Sequence, residues 1–237
     1  MLNNLTLDQL VGRDDAHVID WNGTSLNSQV LNSFKRLSYD AKKAGFDLRI
    51  ASGFRSFDRQ LTIFNSKARG DRPIFDDNGD AIKIDDLSSY DLLCSILRFS
   101  ALPGASRHHW GTDIDIIDGK KPKEGDLLLE EKFHENGPYV KLREWMEKNA
   151  NRYGFYLPYT DSPKREGFNY EPWHYSFAPL SIPMLEEYLK LDLINLLTPN
   201  DLSGKSCIDK KFLESYINEN VLGINPKLKD FKNSAEF

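Results

Sequence analysis

Two cysteines in 237 residues, Cys94 and Cys207, are too few and too widely spaced for a disulfide framework, and they form no C-x-x-C pair. Cys94 sits among Leu92, Leu93, Ile96 and Leu97, which predicts a buried free thiol and fits a reducing compartment. No stretch approaches the roughly 18 apolar residues that a membrane-crossing helix needs. Neither sign of charge dominates: 31 Lys and Arg face 36 Asp and Glu, for a net charge of −5. Neither a nucleic-acid partner nor a membrane partner is therefore expected, since both reward a basic face. The opening residues, Met-Leu-Asn-Asn-Leu-Thr-Leu-Asp, lack a basic segment, an apolar stretch and a small-residue cleavage site, so the expected location is cytoplasmic. Repeats and low-complexity tracts are missing as well.

What is present is the composition of a soluble globular protein, 40% hydrophobic and 28% charged, with 15 Gly and 11 Pro. Val30, Phe34, Leu37, Ala41 and Ala44 share one stripe, predicting a helix over residues 28–44 that stops at Gly45. A strand over 47–52, a turn at Gly53 and a second helix over 57–68 follow. Asn78-Gly79 between extended residues suggests a small hairpin within 70–87. Ser88-Ser-Tyr-Asp91 reads as a capping box for a helix over 89–99. A loop over 102–106 leads to a strand over 112–117, then a charged insertion over 118–137. A helix over 138–153 ends at Gly154, and extended stretches lie around Phe155 and over 170–177. Helices are predicted over 184–197 and 210–221. The order implies an α+β fold, a small mainly antiparallel sheet packed by helices, over residues 1–180, with a helical C-terminal extension over 181–237.

Of five histidines, three lie in two segments that also carry carboxylates and aromatics: Ser106-Arg-His108-His109-Trp-Gly111-Thr-Asp113-Ile-Asp115, and Glu171-Pro-Trp-His174-Tyr. A catalytic zinc takes three His, Asp or Glu ligands and leaves a fourth position for water, with a nearby carboxylate to accept the proton. In the first segment a turn at Gly111 folds a histidine back toward a strand on which Asp113 and Asp115 point the same way. Spacing does not choose between His108 and His109, or between Asp113 and Asp115. The second segment offers His174 and an acid, Glu171, held out of helix by Pro172.

Ser106-x-His108-x-x-Gly111-x-x-x-Asp115 resembles the S-x-H-x-x-G-x-A-x-D signature of the zinc D-alanyl-D-alanine carboxypeptidases of the VanY and VanX type. Glu171-x-x-His174 resembles that family's second signature, and Ser52-Gly-Phe-Arg55-Ser56-x-x-x-Gln60 is similar to its S-G-Y-R-S-x-x-x-Q segment. Tyr153-Gly-Phe155 is a further match. The resemblance spans roughly residues 47–179. It implies one zinc per chain on His108, Asp115 and His174, with Glu171 as catalytic base and Arg55 as the cation facing the scissile carbonyl. Ser56, Gln60 and Ser106 are implied as substrate contacts. The implied substrate is a peptidoglycan stem peptide that loses its terminal D-alanine.

The chain departs from the family pattern in three places. Asp113 stands where a small residue is usual: one reading has it share the face of Asp115 and add negative charge near the metal, and the favoured one has it face away or be hydrogen-bonded locally at a bulge. Ser176-Phe177 replaces an Arg-Tyr pair, and Pro158 stands where arginine is common. His109 and Trp110 are open between lining the pocket and a packing Trp beside an exposed His. Other chemistries lack their residues: no serine has lysine three positions on, G-x-S-x-G is missing, and Gly204-Lys205-Ser206 has Pro199 at the leading glycine position of a P-loop. Asp76-Asp-Asn-Gly79-Asp lacks the first ligand of a calcium loop, since Ile74 occupies that position. The favoured activity is L,D-carboxypeptidase action on tetrapeptides recycled from the wall. The alternatives are D,D-cleavage of D-Ala-D-Ala termini, a non-catalytic binding module of the same fold, and a wall-anchored lysin. Oligomeric state is left open.

Overall fold

The computed structural model describes residues 5–76 and 79–231. A short helix α1 (Leu7–Leu10) is opened by a capping box at Thr6. A hairpin follows, β1 (Val18–Trp21) and β2 (Thr24–Asn27), turning at Asn22 and Gly23, both in the left-handed region at φ 54° and 79°. Asn-Gly is the pair such a two-residue turn demands. Strands of four residues, half exposed, give too short an alternation for this hairpin to be predicted from periodicity. Asn27 then caps α2 (Ser28–Lys43), which buries Val30, Phe34, Leu37 and Ala41 of the predicted stripe together with Leu31, while Ala44, expected on that stripe, is the exposed C-cap.

The main sheet has the order β3-β4-β6-β5 and is antiparallel throughout: β3 (Leu48–Ser52), β4 (Asp113–Asp118), β5 (Phe155–Tyr156) and β6 (His174–Phe177). Between β3 and β4 lie α3 (Phe57–Ala68), capped by Ser56 Oγ, and α4 (Ser89–Leu97), capped by Ser88 Oγ. The hairpin expected within 70–87 survives as an isolated antiparallel bridge between Phe75 and Ala81. Its turn at Asn78 lies outside the described residues. The 118–137 insertion contains one 3₁₀ turn, Glu130–Phe133, whose Phe133 packs with Ile117, Tyr139 and Trp173 in a small cluster of its own. The helix expected over 138–153 is α5 (Val140–Asn149), which tightens into a 3₁₀ turn over Ala150–Tyr153 before Gly154.

Beyond β6 the helical tail differs from its expected bounds. One helix, α6 (Ala178–Tyr188), starts earlier than predicted and tolerates Pro183, whose missing N–H removes one bond. The chain then breaks before α7 (Leu193–Leu196). Next, α8 (Lys210–Tyr216) runs into a π-helical turn over Ile217–Val221. This tail shares one core with the preceding domain: Ile182, Leu185, Leu197, Leu213 and Leu228 belong to the same buried cluster as Leu26, Phe34 and Ile114. Cys94 and Cys207 are free thiols, and Cys94 is only partly buried where full burial was expected.

Two tyrosines of the tail grip the loop over 102–106. Tyr216 Oη accepts from the buried Leu102 N–H at 3.0 Å, and Tyr188 Oη donates to Gly104 O at 2.8 Å. Tyr216→Phe leaves that amide without an acceptor in a dry interior. The expected result is a loss of about 1–3 kcal/mol in urea unfolding. Tyr39→Phe, on an exposed ring, is expected to change stability by less than about 0.5 kcal/mol.

Candidate metal centre

All six residues of β4 are buried, because β3 and β6 flank it and both of its faces are covered. Strand alternation sends Ile114 and Ile116 into the main core and puts Asp113 and Asp115 on the opposite face. Asp115 lies directly across from His174 on β6 and from Ser52 on β3, where a register shift follows Ile50. Just before β4, a 3₁₀ turn over Arg107–Trp110 ends at Gly111, whose φ is 64°. A β-carbon at Gly111 would stand 2.4 Å from Val18 Cγ1, so the N-terminal hairpin seats the turn as closely as glycine allows. The turn carries His108 back over the strand, with Nε2 3.5 Å from Asp115 Oδ2.

Each of these histidines has its remote nitrogen bonded. His108 Nδ1 donates to the Gly53 carbonyl at 2.8 Å, which leaves the lone pair on Nε2, toward Asp115. His174 Nε2 meets Asp113 Oδ1 at 3.1 Å, while its Nδ1 lies 2.7 Å from Glu171 Oε2 and 3.8 Å from Asp115 Oδ1. One donor atom each from His108, Asp115 and His174 falls within 4.8 Å of the others. Ligands about 2.1 Å from a tetrahedral zinc are about 3.4 Å apart, so a small closure of this triangle suffices. Asp115 Oδ1 is buried with no hydrogen-bond partner, a rare state for a carboxylate oxygen. Two imidazoles and a carboxylate around an unsatisfied oxygen fit a zinc ion.

The electrostatics follow the same geometry. Burial alone would raise the Asp115 pKa, but His108 and then His174 outweigh it and lower it. Burial alone would lower the His174 pKa, yet hydrogen bonds to Asp113 and Glu171 carry it up to about 10. His109 has no such partners: burial takes its pKa down to about 3. It is wholly buried, donating from Nδ1 to Arg55 O and accepting at Nε2 from Gly104 N. His109 is thus a structural strut, neither a ligand nor an exposed residue. Trp110 packs and donates to Leu10 O.

The triangle opens on a cavity of about 970 Å³ lined also by Arg55, Ser106 and Glu171. Arg55 is aimed by Gln60 Oε1 at 2.9 Å and Ser52 Oγ at 3.2 Å. Gln60 and Ser56, expected as substrate contacts, are not among the lining residues. Gln60 is fully buried between Arg55 and Ala101 O, and the Ser56 hydroxyl caps α3. Asp113 does not face away. It shares the face of Asp115, with no bulge at its own position, and is saturated by neighbours that include Arg107 Nε at 2.9 Å.

Lys67, on the cavity wall, lies outside the motifs that the sequence singles out. Its Nζ donates to Ser100 Oγ at 2.7 Å, no carboxylate among the described residues pairs with it, and burial lowers its pKa to about 8. The available signal is its position seven residues after Gln60, on the same face of α3.

The family model for VanY, D-alanyl-D-alanine carboxypeptidase, matches residues 23–180. An uncharacterized protein of Haemophilus influenzae is 38% identical over 103 residues, covering 41% of this chain and 70% of its own length. Among solved structures, a VanY D,D-pentapeptidase variant from a VanB-type resistance cassette, in complex with Zn(II), superposes with a TM-score of 0.52 at 23% identity, covering 73% of this chain and 88% of that one. VanYB in complex with D-alanine-D-alanine gives 0.53 at 22% identity, covering 79% and 91%. At those identities the structures share the fold, and the family match spans more than half the chain. This chain belongs to the VanY family of D-alanyl-D-alanine carboxypeptidases.

Proposed function

We propose that this protein is a zinc-dependent carboxypeptidase that releases the terminal D-alanine of peptidoglycan stem peptides, with recycled tetrapeptides as its preferred substrates. The observation that carries the metal chemistry is the buried triangle of His108, Asp115 and His174, closed around an Asp115 oxygen that has no partner. Those three side chains would hold one zinc per chain, which would supply Lewis acidity and lower the pKa of water at the site. Glu171, beside His174 at the cavity wall, accepts the proton of the attacking water and returns it to the leaving amine. Arg55, braced by Gln60 and Ser52, offsets the negative charge that develops on the carbonyl oxygen. Ser106, in the cavity wall beside His108, contacts the substrate backbone.

The charge of the lining supports the substrate. Beside Arg107 and the site acids Asp115 and Glu171, the lining has the cations Arg55, Lys67 and Arg72, with Asp76, on the segment after β3, and the acids Asp126, Glu130, Glu131 and Glu135 on the insertion. A terminal carboxylate suits the first group, Lys67 above all. The charged end of diaminopimelate or lysine, the residue before the scissile bond of a tetrapeptide, suits the second. A D-alanine methyl in that position makes no use of charge. D,D-cleavage is the second reading, favoured by the description of the family itself. Two free thiols support a reducing compartment, the cytoplasm, where wall fragments are recycled.

Metal analysis of the purified protein is expected to find about one zinc per chain. His108→Ala and His174→Ala should lose most of it, while His17→Ala and His134→Ala keep it. Glu171→Gln should keep zinc and lose about 10²- to 10⁴-fold in kcat; full zinc in His174→Ala, or near-normal turnover in Glu171→Gln, contradicts the assignment.

Lys67 is cationic below about pH 8 and neutral above it, so KM should rise as pH passes that value. In Lys67→Met, KM should be high and flat over the same range; an unchanged pH profile would remove Lys67 from carboxylate binding.

Mass spectrometry of matched tetrapeptide and pentapeptide stems should show faster D-alanine release from the tetrapeptide. Faster release from the pentapeptide would establish the D,D reading and leave the zinc chemistry in place.

A further inference from the structure

We infer that Asp113, locked by Arg107 and Ser176, is a positioning residue that fixes the tautomer and ring angle of His174 for the metal, an inference that rests on the zinc reading above. Its carboxylate is buried and receives four hydrogen-bond partners. Oδ1 faces Arg107 Nε at 2.9 Å and His174 Nε2 at 3.1 Å, and Oδ2 accepts from Thr112 Oγ1 at 2.7 Å and Ser176 Oγ at 3.0 Å. The lone-pair positions of a carboxylate number about four, so none is left for a metal. Asp113 is therefore no fourth ligand, although it sits two residues from one. Arg107, through Nη2, also donates to Ser176 Oγ at 2.7 Å, and its guanidinium lies 4.8 Å over the Trp110 ring.

An acceptor so placed requires N–H at His174 Nε2 and assigns Nδ1, which lies 2.7 Å from Glu171 Oε2 and 3.8 Å from Asp115 Oδ1, to the metal side of the ring. A carbonyl, Gly53 O, does the same for His108 from the other ring nitrogen. A carboxylate behind a ligating imidazole holds the ring and raises its basicity more than a neutral acceptor does. Two of the three departures from the family pattern meet here. Asp113 replaces a small residue, Ser176 replaces the first residue of an Arg-Tyr pair, and the two are cross-strand partners on β4 and β6. They form one unit, in which Ser176 makes room for and bonds the Asp113–Arg107 pair.

The test measures zinc affinity by competition with a chromogenic chelator, with circular dichroism to confirm folding. Asp113→Asn alone would strand the Arg107 charge in the interior, so the informative variant is Asp113→Asn with Arg107→Gln, which removes both charges and keeps hydrogen-bonding groups in their place. Its affinity for zinc should fall about 10- to 100-fold, and the visible spectrum of its cobalt-substituted form should differ from that of the unaltered protein. Wild-type affinity and an unchanged cobalt spectrum would overturn the inference while the zinc reading stands. Failure of the unaltered protein to bind zinc would overturn both. Independently of any variant, nitrogen-15 spectra of the zinc-loaded unaltered protein should show His174 protonated at Nε2; a proton at Nδ1 would overturn the inference.

Discussion

Two carboxylates two residues apart on a fully buried central strand set the terms for the rest of this protein. A charge taken out of water costs several kcal/mol unless it is paired and hydrogen-bonded, and here the cost arises twice on one face of β4. Asp113 is compensated within the protein, by Arg107, two hydroxyls and His174. Asp115 is held ionised by His108 and His174, yet keeps an oxygen without a hydrogen-bond partner. The difference between the two separates a structural carboxylate from one left for a cation. A single β-strand thus supplies both, and the pairing of β4 with β6 places His174 within reach of each.

The elements around the sheet act mainly on the approach to that strand. The N-terminal hairpin supplies the wall that Gly111 turns against, and Asn27 N donates to Gly111 O at 3.0 Å. His109 ties the turn to Arg55, whose own amide donates to His108 O at 3.1 Å. The residues past 180 grip the preceding loop through Tyr188 and Tyr216, so the helical tail is a buttress of the metal segment. Pro158, one of the departures from the family pattern, is bound to the same tail through its carbonyl, which accepts from Asn225 N at 2.9 Å. Access from solvent is shaped by the charged insertion, anchored over Ile117 by Phe133 and Trp173.

Much of this is legible in the order of residues. Helices α2, α3 and α4 announce themselves through apolar stripes and serine or asparagine caps, and β4 through its alternation. The ligand candidates are visible as histidine and carboxylate at turn-to-strand spacing, although spacing leaves His108 level with His109 and Asp113 level with Asp115. Those choices need the third dimension. His109 is excluded because its two nitrogens are both used by backbone groups distant from Asp115. Asp113 is excluded because an arginine six residues earlier and a serine 63 residues later fill its lone pairs. Each exclusion needs a partner far along the chain, Arg55 for His109 and Ser176 for Asp113, so no window of sequence contains it whole.

The same distinction holds for Ser56 and Gln60. Ser56 is the cap of α3 and Gln60 lies one turn on, yet neither meets the cavity, because the Ser56 hydroxyl is spent on Arg59 N and Gln60 is drawn inward by Ala101 O. Sequence by itself determined the element types from α2 to β6, the α+β class and the chemical identity of the donor set, because periodicity, caps and side-chain chemistry are properties of neighbouring residues. Tertiary structure alone decided which donors converge, which carboxylate is neutralised in place and what the tail is for, because those outcomes depend on contacts between residues far apart in the chain.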